Sequence, residues 1–294
     1  MSELHPIVAV TGSSGAGTSS VKIAFEHIFQ REGIKPAIIE GDSFHRYNRA
    51  EMDWEVEKAA LKGETLTHFG PDGNLMDKLV ELFSGYSENG RGAYRHYVHT
   101  EEEGQRLDTA PGNFTSWKSL DDDTDILLYE GLHGGYVSEA FDIARYVDLL
   151  IGVVPIINLE WIQKIHRDGA VRGYSAEAAT QMILRRMPDY VHHICPQFSR
   201  TDVNFQRIPT IDTSNPFQAE EIPSSDESLV VIQISNRKKI KADYRYLLEM
   251  LQGSFMSQPD TIVVPASKMV FAMELILNPV IEALIDRRDQ AKGA

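Results

Sequence analysis

The stretch Gly12-Ser-Ser-Gly-Ala-Gly-Thr-Ser19, directly after the apolar run Pro6-Ile-Val-Ala-Val10, constrains this chain more than any other feature. A buried strand that breaks into Gly12, Gly15 and Gly17 frees the backbone to curl, so that successive N–H groups point at phosphate oxygens. A helix beginning near Thr18 adds its N-terminal N–H groups and the positive end of its dipole. Ser19 stands where a hydroxyl reaches Mg2+ in the pattern Gly-x-x-x-x-Gly-Lys-Ser/Thr, but Thr18 occupies the place of the lysine. A tight strand-to-helix turn capped by Ser or Thr is the competing reading of the same residues.

Apolar runs at 7–10, 37–40, 126–129 and 147–154 read as buried strands with helical patterns between several of them. That rhythm predicts an α/β fold with a mostly parallel sheet flanked by helices. Residues 54–86 read as two helices separated by Phe69-Gly-Pro-Asp-Gly73. Residues 87–124, rich in Gly, Asp, Thr and aromatics, read as an insertion near the strand ends that can hold a substrate, with a short strand at 94–99. Additional C-terminal strands at 229–234 and 261–264 precede a helix over 268–287. With 294 residues and no linker, repeat or low-complexity tract, the chain reads as a single domain, 1–294. The Asp121-Asp-Asp123 run reads as a solvated turn.

The formal net charge of -14 argues against broad nucleic-acid binding but permits a local cationic pocket for small phosphorylated molecules. The lone Cys195 forms no internal disulfide, the N-terminus lacks signal-peptide character, and no apolar run is long enough to span a bilayer. A cytoplasmic, reducing setting without membrane attachment is expected. Cys195 reads as a packing residue, since no cysteine-specific motif surrounds it.

Three further segments carry chemistry. In Ile38-Ile-Glu-Gly-Asp42-Ser-Phe-His45-Arg-Tyr-Asn-Arg49 an acid and bases follow a strand, at the carboxyl edge where open parallel sheets bind ligands. Asp42 can accept a hydroxyl proton, and His45 and Arg49 can bind phosphate or sugar oxygens; a capped turn with solvated side chains is the alternative. Asp125-Ile-Leu-Leu-Tyr-Glu130-Gly-Leu-His133 ends a strand in a carboxylate suited to placing Mg2+, while His133 is open between substrate contact and a structural bond. In Asn158-Leu-Glu-Trp-Ile-Gln-Lys164-Ile-His-Arg167-Asp168-Gly-Ala-Val-Arg172, helical spacing puts Lys164, Arg167 and Asp168 on one face. An ion-paired surface explains that face, from Glu160 to Lys164 or from Lys164 to Asp168. A lid over transferring phosphates, with Arg185 and Arg186 nearby, explains it equally.

Together with Tyr129-Glu-Gly-Leu-His133 and Asp212-Thr-Ser-Asn-Pro-Phe217, these segments resemble bacterial phosphoribulokinases, P-loop kinases related to uridine and pantothenate kinases. The resemblance spans nearly the whole chain. It implies a P-loop kinase fold with a lid near 167–187, and transfer of the ATP γ-phosphoryl group to the O1 hydroxyl of ribulose 5-phosphate with Mg2+ as cofactor. In that likeness Asp42 is the base, and Lys164 and Asp168 act with it. Gly12, Ser13, Ser14, Gly15, Ala16, Gly17, Thr18, Ser19, Arg167, Arg185 and Arg186 meet the nucleotide. His45, Arg49, Tyr97, His99 and Arg172 hold the sugar phosphate, and Ser19, Glu130 and Asp168 meet the metal. Thr also occurs in that branch at the position of Thr18. A homo-oligomer is implied, with NADH and AMP as effectors and Arg31 as a candidate contact, while Gln233 and Gln258 lie in C-terminal segments where cationic partners are expected. A related kinase with another sugar phosphate or nucleoside acceptor, or a non-catalytic nucleotide sensor, are the alternatives.

Overall fold

The computed structural model describes residues 3–12, 18–172, 175–219 and 221–293, without the side chains of residues 18, 19, 167, 168 and 170–172. In the strand β1 (Ile7–Gly12), Ile7 and Ala9 face one side of the sheet, and Val8 and Val10 face the other. Every one of its residues is buried, as expected for a strand covered on both faces. The chain continues through α1 (Thr18–Glu32), β2 (Pro36–Glu40), α2 (Arg49–Leu61) and α3 (Met76–Asn89). The insertion carries β3 (Ala93–Tyr94), α4 (Glu101–Leu107) and β4 (Lys118–Ser119), and β3 and β4 form a separate antiparallel ribbon. Then come β5 (Ile126–Gly131), β6 (Leu149–Val154), α5 (Ile157–Arg172), α6 (Ala176–Asp189) and β7 (Val203–Pro209). The C-terminal part holds β8 (Ser228–Ile234), α7 (Tyr244–Met250), β9 (Phe255–Gln258), β10 (Thr261–Pro265) and α8 (Met269–Gly293).

Among the described residues the main sheet has eight strands in the order β2-β5-β1-β6-β7-β8-β10-β9. The first five are parallel, so their carboxyl ends share one edge; β8, β10 and β9 extend the sheet antiparallel. This is a mostly parallel sheet flanked by helices with extra C-terminal strands. One face packs on α1 and α8 through Phe25, Ile28, Met273 and Leu277, the other on α3 through Leu79, Phe83 and Tyr86. The buried carboxylate of Asp148 ties three elements, accepting from the Ile7 N–H at 3.0 Å and from Arg287 of α8 at 3.0 Å. Arg288 of α8 pairs with Asp125 at the start of β5.

Several elements differ from the sequence reading. Residues 94–99 are not a strand: β3 ends at Tyr94, and the following backbone pairs irregularly with the loop opposite. Thr115 Oγ1 accepts from His96 N, Asn113 O accepts from Val98 N, and Tyr97 forms an isolated bridge with Phe114. Strands β7 and β9 had no counterpart in the sequence reading. Cys195 is exposed rather than packed, because Ile194 and Gln197 take the inward positions of that turn. Partial desolvation and the Glu160 carboxylate push its thiol pKa up, away from nucleophile behaviour. Asp121, Asp122 and Asp123 are exposed, as a solvated turn requires.

Candidate active site

At the end of β2 the chain turns sharply through Gly41–Phe44. Gly41 faces Gly131 of β5: a methyl group on Gly41 would lie 2.8 Å from the Gly131 Cα and 2.6 Å from the Tyr129 hydroxyl oxygen. Only glycines allow the two strand ends to close this far. In register, Glu130 pairs with Glu40 on one side and Val10 on the other, so Asp42 just after β2, Glu130 in the last residues of β5 and Gly12 at the end of β1 share one edge of three adjacent strands. Gly12 ends β1 in register with Val153, buried.

Asp42, half-buried, stands between two imidazoles. Its Oδ1 lies 3.3 Å from His45 Nε2 and its Oδ2 lies 3.4 Å from His99 Nε2. The first distance suits an ion pair, yet burial, followed by the charges of His133, His99, Arg186 and Arg95, lowers the His45 pKa to about 3. His45 is therefore neutral at physiological pH, and the pair is an imidazole dipole against a carboxylate. Tyr97 meets both rings edge-on, with centroids 6.0 Å from His45 and 4.9 Å from His99. Arg95 fixes the turn by donating to Ser43 O at 2.9 Å and His45 O at 2.6 Å, with its guanidinium 3.5 Å from the Phe114 ring centroid.

Arg49 opens α2 behind an Asn48–Glu51 capping box, with its side chain exposed. Gly112 of the insertion has φ +83°, a backbone conformation that favours glycine, and it lies against Arg49, whose Cβ a methyl group there would meet at 3.0 Å. His133 is buried, with Nε2 3.0 Å from Phe69 O, and burial lowers its pKa to about 4; this is the structural alternative for that histidine. Arg186 of α6 is half-buried and its charge reaches His45 and His68, whereas Arg185 is exposed beside an open hollow lined by Ala178, Gln181 and Met182.

On the nucleotide side, Ser13, Ser14, Gly15, Ala16 and Gly17 lie outside the described residues, and Thr18 and Ser19 begin α1. Lys164 sits half-buried within α5; Arg167, Asp168 and Arg172 belong to the same helix, with side chains outside the description. The segment 212–217 lies along α5: Asn158 donates to Thr213 O at 3.0 Å and Trp161 packs on Phe217 with centroids 5.1 Å apart. Among the described residues no group of three or more His, Cys, Asp or Glu side chains is arranged to hold a metal. A cation that arrives with nucleotide phosphates needs only one or two protein carboxylates, and Glu130 beside Glu40 at the strand edge fits that requirement.

Sequence reasoning missed Arg95, His68 and Gln197. Gln197 is buried and joins the ends of β1 and β5, accepting from Thr11 Oγ1 at 2.9 Å and Gly135 N at 3.0 Å while donating to Leu132 O at 2.8 Å. None of the three sits in a spacing pattern; each acts across the chain.

Residues 7–214 match the model of the Phosphoribulokinase / Uridine kinase family. The chain belongs to this family. The phosphoribulokinases it resembles align along their whole length. The chromosomal phosphoribulokinase of Cupriavidus necator is 57% identical over 292 residues, 99% of each chain. That of Nitrobacter vulgaris is 54% identical over 288 residues, covering 98% of this chain and 99% of the relative. The solved phosphoribulokinase from Rhodobacter spheroides superposes with a TM-score of 0.90 at 50% identity, covering 98% of this chain and all of that one (100%). The phosphoribulokinase fold includes the antiparallel extension as well as the parallel part.

Proposed function

We propose that this chain transfers the γ-phosphoryl group of ATP to the O1 hydroxyl of ribulose 5-phosphate, yielding ribulose 1,5-bisphosphate and ADP. The observation that carries the reading is the Asp42 carboxylate held between His45 and His99 at the strand edge where the glycine loop begins. A primary alcohol is a weak nucleophile at neutral pH, and a placed carboxylate takes its proton as the oxygen–phosphorus bond forms. Asp42 Oδ2, beside the exposed His99, is the atom that receives it. His45, Tyr97, His99, Arg49 and Arg172 hold the sugar phosphate.

Charge spreads over the phosphoryl oxygens during transfer, and fixed cations stabilise it best where water is excluded. Lys164, Arg167, Arg185 and Arg186 surround that charge in this reading and Asp168 is their acidic partner, with 167–187 as a lid and 87–124 as the acceptor-binding insertion of a single domain. Ser19, Glu130 and Asp168 would hold Mg2+ together with the nucleotide, and the ion would supply positive charge to the phosphate oxygens. The reading includes a cytoplasmic homo-oligomer responsive to NADH and AMP. An effector at Arg31 has to displace its present bonds to Glu32, Glu274 and Asn278.

A coupled assay of ADP release tests the reading with ribulose 5-phosphate, ribose 5-phosphate, uridine and no acceptor. Turnover dependent on ribulose 5-phosphate is expected. Preference for another acceptor would assign the scaffold to a different kinase, and ATP binding without turnover would make it a sensor.

A further inference from the structure

We propose that His68 is a positioning residue for the catalytic base: its ring stacks on His45 and holds that imidazole against Asp42, while Thr67 ties the arrangement to helix α6. The inference rests on Asp42 being the base of the reaction above. The His45 and His68 rings lie face to face, with centroids 3.8 Å apart and planes 21° from parallel. His45 Nε2 is in turn 3.3 Å from Asp42 Oδ1. The histidines meet through their ring faces, and His68 Nδ1 is buried without a hydrogen-bond partner.

The loop that carries His68 is anchored at several points. Thr67 Oγ1 donates to Asp189 Oδ2 at the end of α6 at 2.6 Å, and Phe69 packs edge-on against Tyr190 with centroids 5.5 Å apart. Asn74 donates to His68 O at 2.9 Å and Gly70 O at 2.7 Å, and His133 reaches Phe69 O. Arg186 and Arg185 lie three and four residues before Asp189 on the same helix. A displacement of α6 is thereby passed to Thr67, then to the His68 ring, and then to the imidazole that faces the base.

The charged and titratable groups around the stack are Asp42, Arg95, His99, His133 and Arg186. Burial is the first cause of the lowered pKa of both stacked rings. Removing the His68 ring opens His45 to water beside Asp42, so protonation of His45 becomes easier. A protonated His45 forms an ion pair with Asp42 and makes the carboxylate a weaker base. The loss of activity is then larger at low pH than at high pH.

The test combines nitrogen-15 NMR titration of the imidazoles, without substrate, with pH profiles of kcat for the wild type, His68→Ala, His68→Phe and Thr67→Val. In the wild type His45 stays neutral down to pH 5. In His68→Ala its titration moves toward pH 6.5, and kcat falls about tenfold at pH 6 but about twofold at pH 8, with KM for ATP unchanged. His68→Phe, which keeps a stacking face, restores both readouts. Thr67→Val lowers kcat and broadens the His45 signal; if His68→Ala does not fold, His68→Leu, which fills the space without an aromatic face, takes its place with the same expected outcomes. Unchanged His45 titration in His68→Ala, or a His68→Phe protein that behaves like His68→Ala, would overturn the role of the stack. An unaltered Thr67→Val enzyme would overturn the link to α6. Absence of wild-type turnover would sink the proposed reaction, while the NMR arm still judges the stack.

Discussion

Asp42 and His45 form a carboxylate–imidazole pair, Oδ1 to Nε2 3.3 Å, in which burial keeps the imidazole uncharged. The carboxylate therefore gains a dipole for orientation without the full cation that would weaken it as a base. Its second oxygen faces His99, whose side chain is exposed.

Asp42→Asn preserves size and packing and removes the proton acceptor. Turnover should fall about 10²–10⁴-fold with ATP affinity retained. Steady-state rates measured beside direct nucleotide binding check this, and near-normal turnover would remove Asp42 from the chemistry.

Arg49 lies on the insertion side of the site, against Gly112. Arg49→Ala should raise KM for ribulose 5-phosphate far more than KM for ATP, corresponding to about 1.5–3 kcal/mol for one charge-assisted phosphate contact. Equal changes for the two substrates in a folded mutant would contradict this placement.

Lys164 of α5 is proposed to supply the cation that Thr18 does not. Lys164→Met should lower turnover more than ATP binding, because the cation is needed chiefly as charge develops. Thr18→Lys should not rescue the double mutant, since its ammonium starts from another backbone position. Kinetics of both single mutants and the double mutant give the answer; strong rescue would show that charge matters more than position.

Acid should destabilise the fold through its buried histidines. Folded pKa values of about 3 for His45 and about 4 for His133 lie below the ordinary 6.5. As pH falls below 6.5 the unfolded chain binds protons that the folded chain refuses, so stability drops until the folded values are reached. Each histidine contributes about 1.4 kcal/mol per pH unit across that window. Urea denaturation from pH 7.5 to 5 should show the loss, and His133→Gln should make the slope shallower. A slope unaffected by that substitution would contradict neutral burial of His133.

The parallel part of the sheet was legible because strands buried on both faces read as apolar runs, and 7–10, 37–40 and 126–129 fall within β1, β2 and β5. The strand-end acids were legible for the same reason: once β2 and β5 are placed, Asp42 and Glu130 follow at the edge where they stop. Strand β7 escaped because its sequence VNFQRIP mixes polar and apolar residues, and burial comes from its place between β6 and β8. Segment 94–99 was overread because aromatic residues suit strands locally. In the fold, the Arg95 guanidinium and the Tyr97 ring serve the turn around Asp42.

Chain order and residue type are enough to single out the glycine-rich stretch, the strand-end acids and the cations of 164–186 as candidates, since each is a local pattern whose chemistry depends on a few neighbouring positions. The charge state of His45 was decided only in three dimensions. Its neutrality comes from burial beneath His68, from a loop held by Asp189 and His133, and from cations contributed by the insertion and α6. Desolvation and electrostatics depend on which distant segments enclose a group, and no spacing along the chain encodes that enclosure.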